Sequence, residues 1–308
     1  MKKISSVISL SFLVLFLFIG NVNSSQQNET RKDVSLFVVV QNGKIGFIDK
    51  TGKIVIKPQF DGLGVFSEGL CIVEIGEKFG FINKKGEIVI NPQFDSVDYR
   101  GFSEGLCYVK IGGKSGKWGF IDKRGKIVIN PQFDDVSYFS EGLCYVKIGG
   151  KSGKWGFIDK TGKYVINPQF DDVSYFSEEL SGVKIGDKWG FIDKTGKYVI
   201  NPQFDGVDYR GFTEGLCCVK ISNKWGFIDK RGKIVINPQF EYVDFFSEGL
   251  CGVKIGDKWG FIDKRGKIVI NPQFDDITSF SEGWSSVKIG DKWDVIDKTG
   301  KYVWNPTH

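Results

Sequence analysis

The chain has 308 residues, with 42 Lys and Arg against 37 Asp and Glu, a formal net charge of +5 and a single histidine. It contains no alanine and only Met1, whereas Phe, Gly, Val and Ile abound, which is the composition of strands and tight turns. The charges alternate in sign and build no basic stripe, which argues against a nucleic-acid partner. The lone histidine, His308, leaves no imidazole for Ser-His-Asp or Cys-His catalysis and little for a zinc site. No catalytic residue, metal ligand or cofactor is assigned.

In chain order, Lys2 and Lys3 precede an apolar run from Ile4 through Ile19 broken only by serines, and Val22 and Ser24 suit the −3 and −1 positions of a cleavage site. Residues 1–24 are therefore expected to be a signal peptide, with an uncleaved anchor as the alternative. Export implies a secreted, periplasmic or cell-surface protein with no membrane span after cleavage. Loss of the two lysines would lower the net charge to +3. Residues 25–35 are polar and aperiodic and read as a tether.

From residue 36 to 308 the chain repeats one phrase. Pro58, Pro92, Pro131, Pro168, Pro202, Pro238, Pro272 and Pro306 share one slot, at spacings of 34, 39, 37, 34, 36, 34 and 34 residues. The excesses over 34 are a three-residue hairpin extension, Gly-Lys-Ser-Gly at 113–116 and 150–153, and a two-residue Tyr-Arg insertion at 99–100 and 209–210. A fixed period of this size marks a stack of supersecondary units that bury one another's apolar faces. Within a unit such as residues 183–216, period-two alternation predicts three strands, Val-Lys-Ile, Trp-Gly-Phe-Ile-Asp and Lys-Tyr-Val-Ile, with Asn201-Pro202 ending the ladder. The stretch from Pro202 to Leu216 is expected to cross to the next unit. The prediction is an all-β tandem array of about eight three-stranded meanders, seven full repeats and a partial one, stacked as an open solenoid or superhelix. A closed seven- or eight-bladed propeller is the alternative.

Lys-Trp-Gly-Phe-Ile-Asp-Lys, beginning at Lys117, Lys154, Lys188, Lys224 and Lys258, with Asn-Pro-Gln-Phe and Phe-Ser-Glu-Gly downstream, resembles the bacterial WG (KWG) repeat family. The resemblance runs from about Phe37 to His308, with departures at Ile45 and Phe79 in the Trp slot and Asp294 in the Gly slot. It implies β-rich repeats, often exported or joined to other domains, with no shared enzymatic activity.

Other candidates for chemistry have plainer readings. The Gly-Lys-Ser-Gly turns lack the upstream glycine and the following helix of a phosphate loop. Asp134-Asp135, Asp171-Asp172 and Asp275-Asp276 recur, whereas a carboxylate pair serving a glycosidase occurs once, and adjacent strand residues point apart. Cys71, Cys107, Cys144, Cys217 and Cys251 share one inward slot that Ser181 and Ser285 fill elsewhere, and Cys218 faces the other way. Same-slot residues of stacked sheets lie about 10 Å apart, too far to bridge, so reduced, buried thiols are expected in preference to disulfides.

Variation within a fixed repeat falls on loops, often those of a binding face. Tyr99, Arg100, Tyr138, Tyr175, Tyr209 and Arg210 occupy such loops and are the candidate ligand-binding residues, for a protein or a glycan partner. The functional expectation is a secreted or envelope-associated binding and scaffolding module. A secreted hydrolase with a carboxylate site and a purely structural spacer are the alternatives.

Overall fold

A computed structural model of the chain describes residues 36–304, with the side chain of Trp304 outside that description. The signal peptide, the tether and His308 lie outside the described residues. The described chain forms eight antiparallel sheets in tandem, and its only helical segments are two single 3₁₀ turns. The first sheet has three strands, Phe37–Gln41, Lys44–Ile48 and Ile54–Phe60, and each of the other seven has four.

The third sheet shows the construction. Its strands run in order Ser96–Val97, Leu106–Ile111, Lys117–Asp122 and Ile127–Phe133. The meander is as expected, and the crossover stretch adds a short fourth strand to one edge of the sheet. The proline does not end the ladder, because the last strand continues through Pro131 to Phe133. Trp118 pairs with Phe133 and Phe120 with Ile129, so Gly119 alone faces Asn130, Pro131 and Gln132. Proline is tolerated there because a bulge needs no N–H from it. The bulged backbone presses so closely on Gly119 that a Cβ would sit 2.5 Å from the Ile129 oxygen and 2.6 Å from the Pro131 nitrogen. That approach is why glycine follows tryptophan in this strand.

Each of the six inner sheets buries both faces. In the third, Ile121 packs with Leu70, Ile72 and Phe81 of the sheet before, and Phe120 with Val136, Cys144 and Val146 of the sheet after. Seven such apolar clusters join consecutive sheets, and among the described residues none joins the eighth to the first. Phe37 and Val38 of the first sheet and Trp284 and Trp293 of the last are 40–47% exposed. The described array is thus open at both ends, the arrangement expected of a stack with atypical end units.

The Phe-Ser-Glu-Gly phrase fastens one sheet to the next. Phe139 fills the inter-sheet cluster, and Ser140 Oγ donates to the Phe176 carbonyl of the following sheet at 2.9 Å. Glu104 and Gly105 take positive φ, 51° and 86°, as a tight two-residue hairpin turn requires. The Glu104 carboxylate accepts from the Gly142 N–H at 3.2 Å and from Lys160 at 2.9 Å, both in the next sheet. The same clasp recurs at Glu68, Glu141, Glu178, Glu214 and Glu248.

Candidate functional site

The six candidate residues lie where the chain leaves each short edge strand. In the third sheet Asp98 follows that strand, is 1% exposed, and accepts the Arg100 backbone N–H at 3.1 Å and its Nε at 3.2 Å. The turn throws Tyr99 outward, 74% exposed, and folds Arg100 back over the Tyr138 ring of the fourth sheet, 3.8 Å from its centroid. Tyr138 stacks on Tyr175 of the fifth sheet, with centroids 4.6 Å apart and planes 27° from parallel. Tyr175 meets Tyr145 at 5.2 Å. Arg100, Tyr138 and Tyr175 therefore form one continuous row across three sheets.

The second insertion repeats the turn with different neighbours. Arg210 pairs with Asp208 at 2.8 Å and with Asp244 of the seventh sheet at 3.1 Å, and lies 4.0 Å over the Phe245 ring. Tyr209 is 51% exposed and donates its hydroxyl to Asp172 Oδ2 at 2.8 Å while meeting Trp189 edge-on. Residues 99–175 thus form one group and residues 209–210 a second, and both insertions present a tyrosine to solvent.

The electrostatics follow from this packing. Burial opposes the Arg100 charge, yet the Asp98 carboxylate and the hydroxyls of Tyr175 and Tyr108 hold the guanidinium above its ordinary pKa. Burial raises Tyr108, Tyr138 and Tyr145. Tyr175 moves the other way, since hydrogen bonds from Tyr145 and Arg100 outweigh its burial. Tyr209 is pushed up to about 12 by burial and by its bond to Asp172. At neutral pH the row offers phenol hydroxyls, aromatic faces and one fixed cation, which suit recognition of a partner.

Asp98, Tyr108, Tyr145, Asp208 and Asp244 belong to this edge and were not singled out from sequence. The signal for two of them was variation, because the slot of Tyr108 and Tyr145 holds Ile72, Gly182, Cys218, Gly252 and Ser286 in the other four-stranded sheets.

The remaining sequence candidates are absorbed by structure. Asp134 accepts from Lys117 and from the N–H groups of Gly149 and Gly150, both at 2.9 Å, so the Gly-Lys-Ser-Gly turn holds one of the chain's own carboxylates. Asp171 and Asp275 are bonded in the same way, by Lys154 and Lys258. All six cysteines are free and buried. The thiols of Cys71, Cys144 and Cys251 donate to backbone carbonyls at 3.0–3.3 Å, and Ser181 and Ser285 do so at 2.7–2.8 Å. A shared donor role explains why serine replaces cysteine there. Among the described residues no group of three His, Cys, Asp or Glu is placed to hold a metal ion, and no helix is long and apolar enough to cross a membrane.

Sheets stacked through closely similar interfaces, with insertions confined to the hairpin tips and the turns after the short strands, define a tandem β-repeat protein. The WG containing repeat family matches it seven times, at residues 45–79, 79–114, 118–151, 155–189, 189–225, 225–259 and 259–293, and the chain belongs to that family. No curated protein matches the sequence. Among solved structures, a eukaryotic initiation factor is similar at 12% identity and TM-score 0.45, over 91% of this chain and 96% of that one. Hsv2 from Kluyveromyces lactis is similar at 13% identity and TM-score 0.41, over 63% and 71%. A puromycin hydrolase is similar at 10% identity and TM-score 0.40, over 80% and 54%.

Proposed function

We propose that the protein is an exported, non-enzymatic binding module, secreted or held at the cell envelope, that captures a protein or glycan through the short-strand edge of its middle sheets. The observation that carries this reading is the Tyr-Arg insertion. Twice it breaks the 34-residue period only to place an exposed tyrosine beside an arginine anchored on a carboxylate. Such a pairing preorganises a contact surface on a rigid scaffold, so less side-chain entropy is lost on binding. The engagement of Asp134, Asp171 and Asp275 by lysines and turn N–H groups supports the non-enzymatic reading over a hydrolase.

The test is capture from glycan and surface-protein arrays by the mature chain, repeated with Tyr99→Ala and Tyr209→Ala combined. The arginines are left in place because Arg100 neutralises buried Asp98. Binding weakened at least about tenfold, equivalent to the loss of one good aromatic contact, with an unchanged melting temperature, is the expected result. Unchanged capture by the double variant would refute the proposed surface.

A further inference from the structure

The two extended hairpins stand side by side at the end of the sheets opposite the Glu-Gly clasps, and their composition is inverted relative to the others. The tips of the short hairpins carry an acid in four sheets, at Glu77, Asp187, Asp257 and Asp291. In the third and fourth sheets Gly-Lys-Ser-Gly replaces that acid with Lys114 and Lys151. The groove between the two hairpins is lined by these lysines together with Lys110, Lys117 and Lys147. Its acids are Asp134 and Asp135, so five lysines face two aspartates, a net charge of +3.

The positive charge is held in place and left available. Asp134 is occupied by Lys117 and by turn N–H groups. Lys110 Nζ donates to the Lys114 carbonyl at 3.2 Å and Lys147 Nζ to the Lys151 carbonyl at 3.3 Å, so each ammonium is fixed at a hairpin mouth by a neutral acceptor. Among the described residues none of Lys110, Lys114, Lys147 and Lys151 has a carboxylate partner. Both hairpins repeat at the sheet-to-sheet step of about 10 Å, which presents the charges as a short periodic row. This local basic patch corrects the expectation of none, because the two tips are neighbours in space and 37 residues apart in sequence.

We infer that this groove between the third- and fourth-sheet hairpins binds an anionic polysaccharide, one bearing carboxylate or sulfate groups along its length. The lining selects among polyanions. It consists of Lys, Asp, Ser and Gly only. The nearest rings, Trp118 and Trp155, are partly buried under the Lys110 and Lys147 ammoniums at 5.8 and 5.5 Å, so the groove itself offers no ring on which a nucleic-acid base could stack and no apolar pocket to anchor a peptide side chain. A hydroxyl-rich, charged polymer satisfies lysines, Ser115 and turn N–H groups without either. This surface is separate from the Tyr-Arg edge, so each can fail without the other.

The experiment is a titration of the mature chain at low ionic strength with heparin, polygalacturonate, neutral dextran, poly-glutamate and oligothymidylate. Lys114→Glu combined with Lys151→Glu is the test variant. Lys197→Glu combined with Lys233→Glu, exposed positions on other sheets, makes the same change in net charge. Heparin or polygalacturonate should bind, the two showing whether sulfate or carboxylate is preferred. That binding should weaken with added salt and fall at least about tenfold in the test variant while the control variant stays within about threefold. Failure of both acidic polysaccharides to bind, equal loss in the control variant, or equally tight binding of poly-glutamate or oligothymidylate would overturn the inference.

Discussion

The glycine after each tryptophan makes a claim that a single methyl group can test. In Gly156→Ala the new Cβ would lie 2.6 Å from the Ile166 oxygen, 2.6 Å from the Pro168 nitrogen and 2.9 Å from the Asn167 carbonyl carbon. All three are backbone atoms of a bulge whose φ is fixed by proline, so no side chain can swing away. Overpacking of this kind costs up to about 3 kcal/mol. Replacing glycine by alanine also stiffens the unfolded chain, which stabilises by about 0.5–1 kcal/mol where the backbone can accept it. The net is a loss of about 2 kcal/mol, opposite in sign to an unhindered substitution. For an array of this length, melting as one unit, the midpoint should fall by about 3–4 °C. If sheets unfold in smaller groups the drop is larger. Thermal unfolding followed by far-ultraviolet circular dichroism reads it, and an equal or higher midpoint for Gly156→Ala would show that the bulge does not press on this residue.

Three further outcomes are expected. Cys144→Ser should keep its donor to the Ser137 carbonyl and stay within about 1 kcal/mol of the parent, whereas Cys144→Val leaves that carbonyl unbonded and should cost about 1–3 kcal/mol in urea unfolding; equal stability of the two would remove the donor argument. The thiols should resist iodoacetamide in the folded protein, because burial pushes Cys71 up to about 12 and raises the other five as well; mass spectrometry showing rapid native-state labelling at pH 8 would contradict the buried placement. The Lys298 bond holds Glu248 below its ordinary 4.5, so its contribution is present above about pH 4.5 and is lost as the pH falls through the depressed folded value; Glu248→Gln should melt below the parent at pH 7, with the gap narrowing progressively as the pH is lowered below about 4.5, and a gap that stays undiminished in acid would assign the effect to something other than charge.

The parts of the fold that obey local rules were legible in the sequence. Period-two alternation located the three long strands, and glycine marked their turns. Trp-Gly-Phe-Ile announced a sheet buried on both faces, which Phe120 and Ile121 fulfil by entering different clusters. Proline misled because its missing N–H is costly only where the ladder needs a donor, and opposite Gly119 it needs none. In Phe-Ser-Glu-Gly the packing ring and the turn glycine could be read. The serine and glutamate could not, since their partners, such as Phe176 and Gly142 for Ser140 and Glu104, lie more than 30 residues away. The candidate site divided along the same line. Tyr99 and Tyr209 announced themselves by breaking the period, whereas Asp98, which fixes Arg100, looks like any turn aspartate until its burial is seen.

The frame of the repeat explains why variation gathers where it does. Each family match begins on the Trp-Gly strand of one sheet and ends at that strand of the next or, for the second and third matches, in the extended hairpin just before it. One repeat in sequence therefore spans two half-sheets and carries most of a single inter-sheet cluster: residues 118–151 supply Phe120, Ile129, Phe133, Val136, Phe139, Cys144 and Val146, and of its buried members only Ile158 comes from beyond. A substitution inside that unit must fit a close-packed face on both sides, and the near-identity of Ile-Asn-Pro-Gln-Phe from sheet to sheet is the outcome. The turn after each short strand and the first hairpin tip lie outside the seven buried clusters: Arg100 and Arg210 reach the following sheet only along its surface. They can lengthen by two or three residues without changing the stacking step, as the intact clasps on either side of both insertions show. Any specificity this scaffold acquires has to be written on those two margins, and the Tyr-Arg turns and the lysine hairpins are where this chain departs from its own repeat.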